Sequence, residues 1–248
     1  MHLSTATWQE IEARVKSGKT SIIIPIGSHE QHGPTGLIGT DALCPEIIAK
    51  ACEAQNDVLI APTFSVGMAQ HHIGFPGSIT LRPTTMIAAM VDWTNCLAKA
   101  GLTRLYWLNG HGGNVATINA AFSESYVPYS MESKLCPFAH KISNWWDLPE
   151  INKFCYDMYP IGHGSHGTAS EVAVTYWGYP ERAVLGQMVL DPKIAPDGPI
   201  RDAVDYRKRF PDGRIGSDPT QATIEQGGQI VAKCITALMQ DLAIFEQS

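Results

Sequence analysis

Basic charge is scarce in this 248-residue chain: 18 lysines and arginines stand against 24 aspartates and glutamates, a formal net charge of -6. Nucleic-acid backbones and anionic membranes are held by basic fields through counterion release, so both are excluded as partners and a small molecule is expected. Charge of either sign is thin, 17% of residues against an average near 25%, while a 44% hydrophobic share excludes disorder. There is no Cys-x-x-C pair; Cys44, Cys52, Cys96, Cys136, Cys155 and Cys234 are scattered and are expected as reduced core thiols, not a disulfide framework. No internal repeat, low-complexity tract or linker divides the chain. No apolar run of the roughly 18–20 residues that span a bilayer is visible, and Met1 to Thr5 lead into a polar amphipathic segment instead of a signal sequence. A single cytoplasmic domain over residues 1–248 is expected, long enough to bury roughly 70–75% of its unfolded surface.

What the chain does have is nine histidines and a regular alternation of elements. Thr7-x-x-Glu10 is a capping box opening a helix to about Lys16, with Gly18 placed to end it. The apolar run Ser21–Ile26 reads as a strand covered on both faces. A helix at Ala42–Ala54, a strand at Val58–Ala61, a helix at Thr85–Lys99 stopped by Gly101, a strand at Arg104–Leu108 and a helix from Val115 follow. This pattern predicts an α/β fold with a mostly parallel sheet and helices on both faces. Beyond Pro128, Lys134–His140 reads as a strand, Thr168–Trp177 as a helix and Thr223–Phe245 as a long terminal helix. Val189–Thr220, rich in Pro, Asp, Gly and Arg, reads as an extended surface loop or a subunit-contact arm.

Seven of the nine histidines fall into four loop segments; His2 and His140 lie outside them. In Gly27-Ser28-His29-Glu30-Gln31-His32-Gly33-Pro34, the i and i+2 side chains Glu30 and His32 share one side of extended chain. Asp41 returns at the mouth of the next helix, near the carboxyl edge of the sheet where open α/β folds place ligands. Together they form a first shell for a divalent metal, or else two loop-surface polars and an N-cap. In Asn109-Gly110-His111-Gly112-Gly113-Asn114, a histidine framed by glycines leaves a strand end, either to meet a ligand or as a tight turn with a packed imidazole. His163-Gly164-Ser165-His166 runs into Thr168-x-x-Glu171, again a capping box, which gives Glu171 a structural role or a ligand role. Gln70 to Ile79, with His71 and His72, walls a pocket or is a structural loop; Ile79-Thr80-Leu81 reads as a short strand.

In this order, over about residues 20–180, the four segments resemble the creatininase (creatinine amidohydrolase) family. The resemblance implies a three-layer α/β/α fold, a two-metal site with zinc or manganese, hydrolysis of a cyclic amide or another non-peptide C–N bond, and a hexamer. Carried over residue by residue, it puts the metal ligands on Glu30, His32, Asp41 as the bridging carboxylate, His111 and Glu171, and the catalytic histidine on His166, with Glu171 also in the catalytic set. Two departures stand out. Creatininase has a glutamate where this chain has Gly113, so Glu171 must supply that carboxylate; it also has a tryptophan where this chain has Gly162. Trp145 and Trp146 then become candidates for an aromatic lid, and with His72 they are the expected substrate-binding residues. The donor set of imidazoles and carboxylates accepts Zn²⁺, Mn²⁺ or Fe²⁺. A peptidase trimming a small peptide and a non-catalytic metal-binding protein are the alternatives.

Overall fold

Three parallel strands carry the most apolar segments of the chain to a common edge. The computed structural model describes residues 1–184 and 199–247. Strands β1 (Ser21–Ile26), β2 (Arg104–Asn109) and β3 (Ala139–Asn144) lie in the order β1-β2-β3, with Ile22 opposite Leu105, Ile24 opposite Trp107, and Trp107 opposite Ile142. Alternation within β1 divides the core. Ile22, Ile24 and Ile26 join one apolar cluster with Met86, Met90 and Ile118 from helices α3 (Pro83–Lys99) and α4 (Val115–Met131). Ile23 joins the other, with side chains of α2 (Thr40–Glu53), α5 (Ile151–Met158), α6 (Ala169–Gly178) and α8 (Ile224–Glu246). Each fully buried isoleucine contributes roughly 1.5–3 kcal/mol, so burial on both faces is what makes this three-stranded sheet stable. The expected three-layer α/β/α architecture is therefore present.

Most predicted boundaries agree within two residues, including α1 (Trp8–Lys16), whose capping box on Thr7 and Glu10 is formed. The exceptions have local causes. Val58–Ala61 follows β1 in register, with Ile23 N–H donating to the Leu59 carbonyl and Ala61 N–H to that of Ile23, but makes only isolated bridges, as does Ile79 with His29. The third strand begins at Ala139, five residues later than predicted, because α4 runs through Pro128 to Met131 and a turn with Ser133 at φ 52° follows. Helix α8 has the length and an 18-residue mean hydropathy, 1.2, of a bilayer span. Its apolar stripe, including Ile230, Cys234 and Leu238, is buried against α6, as in the core helix of a globular fold.

The Val189–Thr220 segment departs most from expectation. Residues 185–198 lie outside the described part, but 199–220 is no solvated loop. It contains α7 (Ala203–Arg209), packs Tyr206, Phe210, Arg214 and Ser217 out of solvent, and pairs Ile215 with His166. The six cysteines are free thiols; Cys44, Cys52, Cys155 and Cys234 are buried, Cys136 is half-buried and Cys96 exposed.

Candidate metal centre

All three strands end at the same edge, so the loops after Ile26, Asn109 and Asn144 converge there. Asparagines stitch them together. Asn109 donates through Nδ2 to the His111 carbonyl at 2.7 Å and to Asn144 Oδ1 at 2.8 Å, and Asn114 donates to the Gly27 carbonyl at 2.9 Å. The asparagines flanking His111 are thus braces for its loop. Glycines let the first turn of α2 descend onto this edge. A Cβ on Gly27 would lie 2.1 Å from the Asp41 carbonyl oxygen, and one on Gly110 would lie 1.9 Å from it. Gly110→Ala should therefore push α2 away from the sheet, at a cost of about 1–3 kcal/mol. Thermal unfolding is the check: Tm falls by about 2–4 °C for each kcal/mol, and an unchanged Tm contradicts this packing.

Of the predicted site residues all but His32 line a cavity of about 350 Å³, and His32 lies buried behind it against Asp41. Ligand atoms of Glu30, Asp41 and His111 lie within 4.8 Å of one another, as do those of His32, Asp41 and Glu171, so Asp41 is common to both triads. His32 Nε2 is 2.8 Å from Asp41 Oδ1, and His111 Nδ1 is 2.9 Å from Asp41 Oδ2. Glu30 and His32 are fully buried, which removes the loop-surface alternative, and α2 is capped from Gly39 without a side-chain bond, which removes the N-cap alternative for Asp41. For Glu171 the capping role does not take it out of the cavity. The Thr168 N–H and hydroxyl each donate to its Oε2 at 2.8 Å, while the residue still lines the cavity.

The electrostatics ask for positive charge. Burial holds Glu30 and Glu171 above the usual carboxylate range, whereas Asp41, despite the same burial, is held well below it by His32 and His111. Burial alone would lower the imidazoles, but the carboxylates beside them push His32 up to about 10 and His111 to about 9. Glu30 Oε1, Glu30 Oε2 and Asp41 Oδ2 are buried and accept no aligned hydrogen bond. Orphaned carboxylate oxygens of this kind are rare in a folded interior. Divalent cations satisfy them and meet the same demand for charge with both imidazoles neutral, so the donors present fit such ions.

Around these triads, His72 is buried with Nε2 3.0 Å from Glu30 Oε1, and burial with the neighbouring His111 lowers its pKa to about 3. His166 is also buried, with Nδ1 3.8 Å from Glu30 Oε1. Trp145 and Trp146 line the cavity directly beyond β3, a position hidden by the misplaced strand. Gly113 is confined: a Cβ there would sit 2.4 Å from His111 Nε2. Several neighbours escaped sequence reasoning, among them Gln31, Tyr206, Ser170 and Ser217, the last of which donates to the His166 carbonyl at 2.7 Å. For Gln31 the signal was available in its place between Glu30 and His32; for Tyr206 and Ser217 nothing local pointed to the site.

Comparison with known proteins extends the likeness over nearly the whole chain. The family model described as "Creatininase: Creatinine amidohydrolase" matches residues 4–242. Creatinine amidohydrolase of Pseudomonas putida is 28% identical over 247 residues, covering 94% of this chain and 92% of that protein. The mycofactocin precursor peptide peptidase of Mycolicibacterium smegmatis is 30% identical over 125 residues, 48% of this chain and 49% of the peptidase. Among solved structures, the manganese form of creatininase superposes with a TM-score of 0.86 at 25% identity, covering 99% of this chain and 98% of that one. Fold, strand-end loops and sequence match agree: this chain belongs to the creatininase family of hydrolases.

Proposed function

We propose that this protein is a metal-dependent amidohydrolase that opens a cyclic amide such as creatinine, or cleaves another non-peptide C–N bond, in a small substrate. The observation that carries the proposal is the pair of triads sharing Asp41, buried except for the half-buried Glu171, with the orphaned carboxylate oxygens of Glu30 and Asp41, beside a small cavity. Glu30, Asp41 and His111 would hold one divalent ion and His32, Asp41 and Glu171 the other, zinc or manganese, with iron chemically compatible. When bound, such a pair supplies a water activated at neutral pH and a polarised carbonyl.

The chain's own groups supply the rest. His166 Nε2 lies 2.7 Å from the Gln31 main-chain carbonyl, which can only accept, so Nε2 carries the proton and Nδ1 holds the lone pair. His166 can then take a proton at Nδ1 and deliver it to the departing nitrogen. The capping box fixes Oε2 of Glu171 and leaves its second oxygen for the site. Trp145, Trp146 and His72 wall the cavity, and about 350 Å³ suits a compact ring better than an extended peptide. With this reading go a cytoplasmic location and a homo-oligomer of the hexameric kind.

The test is a turnover panel of creatinine, other cyclic ureides, N-formyl amines and short peptides, with zinc- and manganese-loaded protein. Hydrolysis confined to the small amides is expected. Cleavage of peptides alone would move the protein to the peptidase reading, and no turnover of any class would leave a metal-binding protein.

A further inference from the structure

Gln31 stands between Glu30 and His32, is 5% exposed, and has its amide at the centre of a closed hydrogen-bond hub. Its orientation is fixed from two sides. The Gly33 N–H donates to Oε1 at 2.9 Å, and Nε2 faces the Gly213 carbonyl at 3.0 Å; the flipped amide would set two oxygens against each other. Gly213 has φ +91°, and a Cβ there would fall 1.7 Å from Gln31 Oε1, so the segment after α7 is shaped to this amide.

Nε2 has two hydrogens and four neighbours: the Gly213 carbonyl, His72 Nδ1 at 2.9 Å, His166 Nε2 at 3.0 Å and the Tyr206 hydroxyl at 3.3 Å. His166 Nε2 already carries a proton for the Gln31 carbonyl and cannot accept. The Tyr206 hydroxyl is the longest contact and gives its own proton to the Gly213 carbonyl at 2.6 Å. One hydrogen therefore goes to Gly213 and the other to His72 Nδ1. A neutral imidazole that accepts at Nδ1 must bear its proton at Nε2, where no lone pair remains for a metal.

We propose that Gln31 is a positioning residue that holds His72 as the Nε2–H tautomer, so that His72 cannot serve as a further metal ligand through Nε2. This rests on the dimetal reading of the site. The ring N–H of His72 then sits 3.0 Å from Glu30 Oε1 without hydrogen-bond alignment, an electrostatic contact beside the carboxylate that would hold the ion.

Full-length protein labelled with ¹⁵N-histidine and loaded with Zn²⁺ gives the test, with long-range ¹H–¹⁵N correlations assigned through a His72→Gln variant. Wild-type His72 should show the neutral Nε2–H pattern, and Gln31→Met should shift it toward the Nδ1–H form. In Gln31→Met, zinc affinity against a competing chromophoric chelator should weaken about 10–100-fold. A wild-type His72 protonated at Nδ1, or coordinated through Nε2, overturns the proposal without any variant. So does an unchanged tautomer in folded Gln31→Met. If the wild type binds no zinc yet its His72 shows the Nε2–H pattern, the metal reading fails while the hold of Gln31 on His72 stands.

Discussion

Asp41→Ala is expected to strip the protein of both ions and to lower turnover at least ~10³-fold, equivalent to about 4 kcal/mol of transition-state stabilisation. Asp41 is the one residue common to both triads, and its two oxygens also face His32 and His111. Removing it leaves each triad with two donors, one imidazole and one carboxylate, too few for tight binding of a divalent ion. Asp41→Asn keeps the shape while halving the oxygen donors, so it separates coordination from packing. It should fold with a Tm close to wild type and still lose metal. Treating the wild type with a chelator should give the same loss of turnover, restored by Zn²⁺ or Mn²⁺. Metal analysis together with kinetics on the best panel substrate checks this, and an Asp41→Ala protein with two ions per chain and wild-type turnover contradicts the shared-carboxylate site.

His166→Ala should behave in the opposite way, retaining its metal and losing about 10²–10⁴-fold in kcat, the usual span of a positioned acid or base. His166 belongs to neither triad that shares Asp41, and its ring is held by the Gln31 carbonyl with Nδ1 turned toward Glu30. Yet its ligand atom, with those of Glu30 and His32, also forms a group within 4.8 Å. The two roles have different signatures. Loss of one ion per chain in His166→Ala would make it a ligand; full metal content with kcat collapsed and KM little changed makes it the proton carrier.

The fold was legible where the chain obeys simple periods. Ile22, Ile23 and Ile24 announced a strand covered on both faces, and Thr7, Thr168 and Thr223 each open a helix with a capping box in the structure. The third strand was misplaced because Ala139–Asn144, with His140, Lys141, Ser143 and Asn144, is half-buried and polar, and its apolar signal is weaker than that of the preceding Leu135–Phe138. That shift hid Trp145 and Trp146 at the end of a strand. Glu30, His32, Asp41, His111 and Glu171 could be singled out because their loops carry unusual glycine and histidine density and match a family pattern in order. Gln31 could have been, from its place between Glu30 and His32, but Tyr206 could not, since its contact with Gln31 joins residues 175 apart in sequence. Residues 199–220, read as part of an extended surface loop or subunit-contact arm, pack Tyr206, Phe210, Arg214 and Ser217 out of solvent; their i, i+4, i+8, i+11 spacing runs past the end of α7 at Arg209 and includes a charged and a hydroxyl side chain, so no apolar stripe marks them.

The most direct test of two ions sharing one carboxylate is electron paramagnetic resonance of protein reconstituted with Mn²⁺, read together with metal content. Asp41 in both triads predicts about two manganese ions per chain and an exchange-coupled spectrum that disappears in Asp41→Asn. An uncoupled six-line signal from one ion per chain, unchanged in that variant, would contradict the account.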